Sequence, residues 1–326
     1  MLKRSHIALG ISMLFAGSAL GQTPASPAYP VKPVRMVIGA PPGGGVDIVA
    51  RIYAQRLTDS LGQSFIVDNR PGGGMTLAAG VLAKAPPDGY WLLMTSITHS
   101  INATFYSKLT YDSIGSFTPV TPVGLLADVM AVHPSVPVKT LRELINLAKA
   151  KPGEVGYAHA GHGTMMHVGM ELFISMAGIK MLAVSYNGAA QSTLAVLGGQ
   201  LPVLSTSLPP ALPHAKAGRL RILAVTTAQR TPLAPEYPTV EEAAGLKGYE
   251  AAVWIGLLAP AGTPPAVVNR LNAEVERLQK TSELREQLAI QGSDPYRETP
   301  AGFAEVIRND IAKWGKVVRG LGLKVE

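Results

Sequence analysis

Val34-Arg35-Met36-Val37-Ile38-Gly39 runs straight into Ala40-Pro41-Pro42-Gly43-Gly44-Gly45-Val46-Asp47, and the reading of this stretch decides the fold. The first half is short, apolar and rich in β-branched side chains, as expected of a strand buried on both faces. The prolines and glycines of the second half must stop that strand. Ile48, Val49, Ile52, Tyr53 and Leu57 then recur at helical spacing, and Gly62 is placed to end the helix. A strand, a glycine-rich turn and a helix open a β-α-β unit, whose next strand should follow at once. Residues 64–68 (SFIVD) supply it. A turn over 69–74 (NRPGGG), a helix over about 76–84 and a third strand at 91–95 (WLLMT) extend the pattern.

After an irregular link over 96–127, the same grammar restarts. A strand at 129–133 leads to a helix at 141–150 that ends at Pro152-Gly153. Strands at 156–159 and 183–186 each precede a helix, the first of them over about 164–176, and strands near Val203 and at 221–226 complete the run. The chain then returns to strand at 252–258 and adds helices near 265–279, 282–291 and 300–318. The expected fold is therefore α/β, with two lobes, each a mainly parallel sheet flanked by helices. Residues 22–126 and 249–326 form a discontinuous first lobe and 127–248 the second, with hinge crossings near Leu126 and Gly248.

The 326 residues, 47% hydrophobic and 16% charged, are enough to bury two such cores. At the start, Lys3 and Arg4 precede an apolar run over 7–17 and the small-residue pattern Ala19-Leu20-Gly21. That is the layout of a signal peptide over residues 1–21, cleaved after Gly21, and it places the mature protein in the periplasm. No cysteine is present, so neither disulfides nor a lipidated cysteine hold or anchor the chain. The net charge of +7 includes Lys3 and Arg4, and the remaining +5 favours anionic solutes by long-range attraction. The cations are scattered without interleaved aromatics, so nucleic acid is not an expected partner.

Ligands of open α/β sheets bind beyond the carboxyl ends of the strands. In the first such loop, Pro42, Gly43, Gly44, Gly45 and Val46 offer main-chain N–H groups at a helix start, where a carboxylate or phosphate is stabilised. Neither nucleotide fingerprint, G-x-G-x-x-G nor G-x-x-x-x-G-K-[ST], occurs there. Asp47 suits the first helical turn and has Arg51 one turn along as an ion-pair partner, a structural role. The second loop, His159-Ala160-Gly161-His162-Gly163-Thr164 followed by Met165, repeats the arrangement. Ser96, Thr98 and His99 follow the third strand, and Tyr186 and Asn187 follow a strand of the second lobe. His159, His162, His167 and Glu171 raise the question of a metal, but no H-E-x-x-H pattern accompanies them, so no metal and no cofactor are assigned.

These segments together resemble the Bug family of periplasmic solute-binding receptors, the soluble partners of tripartite tricarboxylate transporters. The resemblance rests on Tyr29-Pro30-Val31-Lys32-Pro33, Gly43-Gly44-Gly45-Val46-Asp47 with Arg51, Val67-Asp68-Asn69-Arg70-Pro71-Gly72 and Pro87-Asp88-Gly89-Tyr90. It continues through Glu143-Leu144, Gly161-His162-Gly163-Thr164 with His167, Pro238-Thr239-Val240-Glu241-Glu242 and Trp254-Ile255-Gly256-Leu257-Leu258-Ala259-Pro260-Ala261-Gly262-Thr263-Pro264. It implies two lobes closing over a small organic carboxylate, held by main-chain amides and water at the loops just described, with Thr206 near Tyr186 and Asn187. It also implies transporter permease subunits as partners of a monomeric receptor. The chain departs from the family pattern in having Ala40 for an aromatic residue, Gly45-Val46 for Ser-Thr, His162 for Asn, and Met165 and Met166 for serines. More room, fewer hydroxyls and a pliable methionine wall favour a bulkier monocarboxylate over a short diacid.

Two other functions compete. A receptor of the same kind can report its closed form to a membrane sensor kinase instead of a permease. An α/β enzyme is the rival from another class, but no G-x-S-x-G elbow, catalytic cysteine or dinucleotide fingerprint supports it, and the chain is not expected to be an enzyme.

Overall fold

The computed structural model describes residues 29–323; the expected signal peptide and its cleavage point after Gly21 lie outside them. The chain runs β1 (Val34–Ile38), α1 (Gly45–Leu61), β2 (Phe65–Asn69), a 3-10 turn (Gly73–Met75), α2 (Thr76–Leu82), β3 (Trp91–Ser96), α3 (Thr98–Phe105) and β4 (Phe117–Leu126). It continues with β5 (Asp128–Val132), α4 (Leu141–Ala150), β6 (Gly156–His159), α5 (Met165–Ala177), β7 (Leu182–Ser185), α6 (Ala189–Leu197), β8 (Val203–Ser207), α7 (Leu208–Lys216), β9 (Arg221–Val225) and α8 (Val240–Ala244). Last come β10 (Val253–Pro260), α9 (Pro265–Gln279), α10 (Ser282–Ile290), β11 (Ser293–Asp294) and α11 (Pro300–Gly320).

Two sheets result, ordered β11-β4-β10-β3-β1-β2 and β7-β6-β8-β5-β9, each flanked by helices: the expected two-lobed α/β architecture. β1 pairs in parallel with β2 and β3, and β6 with β7 and β8. In each sheet an internal strand runs the other way. β10 lies antiparallel between β3 and β4, and β5 antiparallel between β8 and β9. These two strands are the first elements after the chain changes sheet, between Leu126 and Asp128 and again between Val225 and Val253.

The opening strand-turn-helix unit forms as its pattern demands. Gly62 ends α1 in the left-handed conformation, φ 70°, with its N–H donated to Thr58 O. Val49, Tyr53 and Leu57 are buried, and the Tyr53 hydroxyl donates to Val123 O while accepting from Gln279 Nε2, which ties α1 to β4 and α9.

The link over 96–127 is not irregular; it holds α3 and β4. The strand was obscured by Pro119 and Pro122, which normally break a central strand. Both sit where the β4–β10 register shifts, and β11 covers β4 only at Leu125 and Leu126. The prolines therefore lie on an uncovered stretch of edge, where a missing N–H leaves no ladder bond unmade. α7 was likewise hidden by three prolines: Pro209 and Pro210 occupy its first turn, where no N–H partner is needed, and Pro213 lies further in. No described helix is long and apolar enough to cross a membrane.

Candidate functional site

A cavity of about 450 Å³ lies between the two sheets, at the carboxyl ends of β1, β3, β6, β7 and β8. Six helices begin on it. Gly44 and Gly45 start α1, Met75 precedes α2, Thr98 opens α3, Thr164 and Met165 start α5, Gly188 and Ala189 start α6, and Ser207 precedes α7. None of the six has a side-chain cap from the residue that precedes it. The α7 start has no free donor, since the Leu208 N–H is bonded to Ala127 O and Pro209 and Pro210 have none, and the first N–H of the short α2 is bonded to Gly73 O. At the starts of α1, α5 and α6, free N–H groups and the positive ends of helix dipoles converge on one space, and each such end is worth roughly 0.3–1 kcal/mol to an anion. Among the described residues no lysine or arginine lines the cavity.

Of the residues expected at the site, Gly44, Gly45, Val46, Ser96, Thr98, His162, Thr164, Met165, Tyr186 and Asn187 line this cavity. The other five do not. Pro42 and Gly43 are exposed on the outer side of their loop, and the Gly43 N–H donates to Asp47 Oδ2 at 3.0 Å. His99 is buried against Tyr111 and Phe117, with Nε2 2.8 Å from Ser113 O. Gly163 backs onto Phe105 and Asn102. Strand alternation turns Thr206 away, since it pairs with Val129 on the opposite face of the second sheet from Ser205 and Ser207. Asp47 has the structural role foreseen for it. Burial opposes its charge, but hydrogen bonds from Arg51, Asn69 and the Gly43 N–H outweigh that and hold its carboxyl below the usual range.

The two halves meet across the cavity. A Cβ on Gly188 would lie 2.2 Å from Pro41 Cγ, and one on Gly74 would lie 2.6 Å from His162 O. The Tyr106 hydroxyl approaches His162 O at 3.4 Å. The sequence pattern marks the turn that carries Gly74 only as a connection. In fact Gly72, Gly73, Gly74 and Met75 all have positive φ, and all four line the cavity. Only Met75, at φ 76°, has to adopt that conformation with a side chain, a strain of roughly 1–2 kcal/mol. The run of three glycines was the available signal.

Asp128 is the residue that sequence reasoning missed altogether. It opens β5, is 1% exposed, lines the cavity, and neither carboxylate oxygen has a hydrogen-bond partner among the described residues. Burial pushes its carboxyl up to about 7. Ser207, its direct partner in register, also lines the cavity with an unpaired hydroxyl. On the same lobe as Asp128, the ligating nitrogens of His159, His162 and His167 lie within 4.8 Å of one another, a grouping that could hold a metal ion. Burial and mutual repulsion lower His159 to about 3 and His167 to about 4, so both rings are neutral at pH 7. Glu171 takes no part; it accepts from the Tyr157 hydroxyl.

Two lobes, a cleft between them and bare helix starts on both walls define the class: a periplasmic solute-binding protein. Within that class the chain belongs to the tripartite tricarboxylate transporter receptor family, which it matches over residues 49–323. Protein BugT of Bordetella pertussis is 31% identical over 97% of both chains. An R. palustris protein, Rpa4515, solved with adipate, superimposes with a TM-score of 0.88 at 34% identity, covering 91% of this chain and 99% of that one. MatC from Rhodopseudomonas palustris, solved with bound malate, gives 0.83 at 30% identity over 89% and 100%.

Proposed function

We propose that this protein captures a small organic carboxylate in the periplasm by closing its two lobes, and presents the closed form to the permease subunits of a tripartite tricarboxylate transporter. One observation carries the reading: long helices from both sheets, α1 on one side and α5 and α6 on the other, begin uncapped on a single cavity. An anion there gains donors from both walls only when they are together, so it shifts the population towards closure. The adipate and malate of the two related structures support a carboxylate as the solute.

In this reading residues 22–126 and 249–326 form the first lobe and 127–248 the second. The signal peptide is removed after Gly21, and the receptor acts as a monomer without catalysis. Gly44, Gly45, Val46, Ser96, Thr98, His162, Thr164, Met165, Tyr186 and Asn187 contact the solute. The apolar surfaces of Ala40, Val46, Met165, Met166 and Val253 on the cavity wall favour a bulkier monocarboxylate over a short diacid. Mass spectrometry of the small molecule that co-purifies, followed by calorimetric titration of ligand-free protein, tests this. A carboxylate with micromolar or tighter affinity is expected, and failure of every carboxylate to bind would refute the reading.

A further inference from the structure

We propose that the solute bears a protonated nitrogen as well as its carboxylate, and that Asp128 receives that nitrogen. This rests on the receptor reading above and narrows its substrate class to zwitterionic amino carboxylates.

The placement of Asp128 follows from the register of the second sheet. Asp128 pairs with Ser207 and Met130 with Ser205, so these four side chains share one face. That face carries the start of α5, since Ser205 Oγ donates to Met166 O. Tyr249 closes the same side, with its hydroxyl committed to Gly169 O on α5. Among the described residues no cation reaches Asp128. Its ion pairs would have to come from lysine or arginine, and none lines the cavity. Both oxygens are buried and unpartnered among the described residues, and so is the Ser207 hydroxyl beside them.

A buried carboxylate without donors destabilises the empty protein, and it is retained at low cost only where something else brings the donors. The geometry says what. α1 begins within reach of the same serine: a Cβ on Gly45 would lie 3.0 Å from Ser207 Oγ. The start of α1 and Asp128 therefore both border Ser207. An ammonium at Asp128 offers several N–H donors to both oxygens and matches their charge. A second carboxylate there would crowd two acids into one buried place, and one of them would have to keep its proton. Burial has already raised Asp128 towards neutrality, and a cationic nitrogen beside it would restore the charge.

The test is a calorimetric titration of ligand-free wild type and Asp128→Asn with three matched series: α-, β- and γ-amino carboxylates, the alkyl carboxylates of the same shape, and the dicarboxylates of the same length. In wild type, at least one amino carboxylate should bind more tightly than both of its counterparts by about tenfold or more. In Asp128→Asn that compound should lose about thirtyfold or more, the size expected for removing one partner of a buried charge pair, while its alkyl counterpart changes by less than about threefold. The asparagine variant should melt no lower than wild type when empty. Equal or tighter binding of alkyl carboxylates or dicarboxylates in wild type overturns the assignment while leaving the carboxylate receptor standing, and this arm needs no variant. A preference that survives Asp128→Asn overturns it as well. If no member of any series binds, the receptor reading falls and takes this inference with it.

Discussion

Helix starts on the outside of the molecule are finished with side chains, and helix starts on the cleft are not. α4 and α8 begin with full capping boxes, Thr140 with Glu143 and Thr239 with Glu242, and α10 and α11 begin with Thr281 and Thr299 bonded to main-chain N–H groups. α9, which lacks a side-chain cap, starts on Pro265, whose ring nitrogen has no N–H to satisfy. On the cleft, α1 and α6 begin on Gly44 and Gly188, and Thr164 before α5 turns its hydroxyl to Gly161 O instead of to the helix. The difference teaches what each region is for. Outer caps complete the fold by themselves, whereas the cleft leaves its donors for a solute that completes them only on binding.

The largest effect should come from blocking one bare start with charge. Gly44 has ordinary φ, −81°, and a Cβ there would meet nothing closer than Pro41 O at 3.6 Å. Gly44→Asp should therefore fold, cap α1 with its own carboxylate and repel the solute. Affinity should fall by about a hundredfold or more, with a melting temperature within a few degrees of wild type. Retained affinity in a folded variant would show that the α1 start does not hold the anion.

Two acids sharpen the contrast through pH. The carboxylate of Glu242 accepts from the Thr239 N–H and from Arg230, which lowers it below the usual glutamate range, whereas burial raises Asp128 to about 7. The signs are opposite. For Asp128, the unfolded chain loses its proton near 4 while the folded chain keeps it until about 7, so its contribution to stability declines as pH rises across that window and is level above it. Glu242 contributes above the unfolded glutamate value, and that contribution is lost as pH falls through its lowered value. Melting curves of the empty protein from pH 4 to 8 should show the advantage of Asp128→Asn over wild type growing with pH up to about 7. The deficit of Glu242→Gln should shrink towards acid pH. Parallel curves would mean that Asp128 is not buried without a partner.

A smaller change should come from steric contact between the halves. Gly188→Ala puts a methyl 2.2 Å from Pro41 Cγ, at a position whose φ of 100° already strains any side chain. Closure must open slightly to admit it, and affinity should drop by about tenfold, read as a faster dissociation rate.

How much of this was legible follows from the kind of signal each part leaves. β1, α1, α4 and β6 came from local patterns: apolar runs, helical spacing, and glycine or proline at the ends. The glycine loops were visible because main-chain binding needs residues without side chains. β4 and α7 were not, since Pro119, Pro122 and Pro213 argue locally against structure that only their sheet edge and helix positions permit. Asp128 was invisible for a different reason. A single acid before an apolar strand reads as a strand boundary, and only the pairing of β5 with β8 brings it under the start of α5. Thr206 failed in the same way, because which face a strand residue takes is fixed by register and not by its neighbours in sequence.

The smallest effects compare one residue type at one helix position in the two regions. Thr140 accepts from the Glu143 N–H, so Thr140→Ala should cost about 1 kcal/mol of stability, as loss of an N-cap does, and leave solute affinity unchanged. Thr164 occupies the same position before α5 but caps nothing; its hydroxyl holds the Gly161 carbonyl at 2.7 Å and so sets the loop that carries His162. Thr164→Ala should therefore cost less than half as much stability, about 0.5 kcal/mol or below, because no helix donor loses a partner. It should nonetheless weaken binding several-fold, since the loop on that wall is no longer held in place. Chemical denaturation and titration of both variants separate the two roles. Equal losses of stability would mean that the cleft threonine caps its helix in solution, and the division between finished and unfinished helix starts would fail at α5.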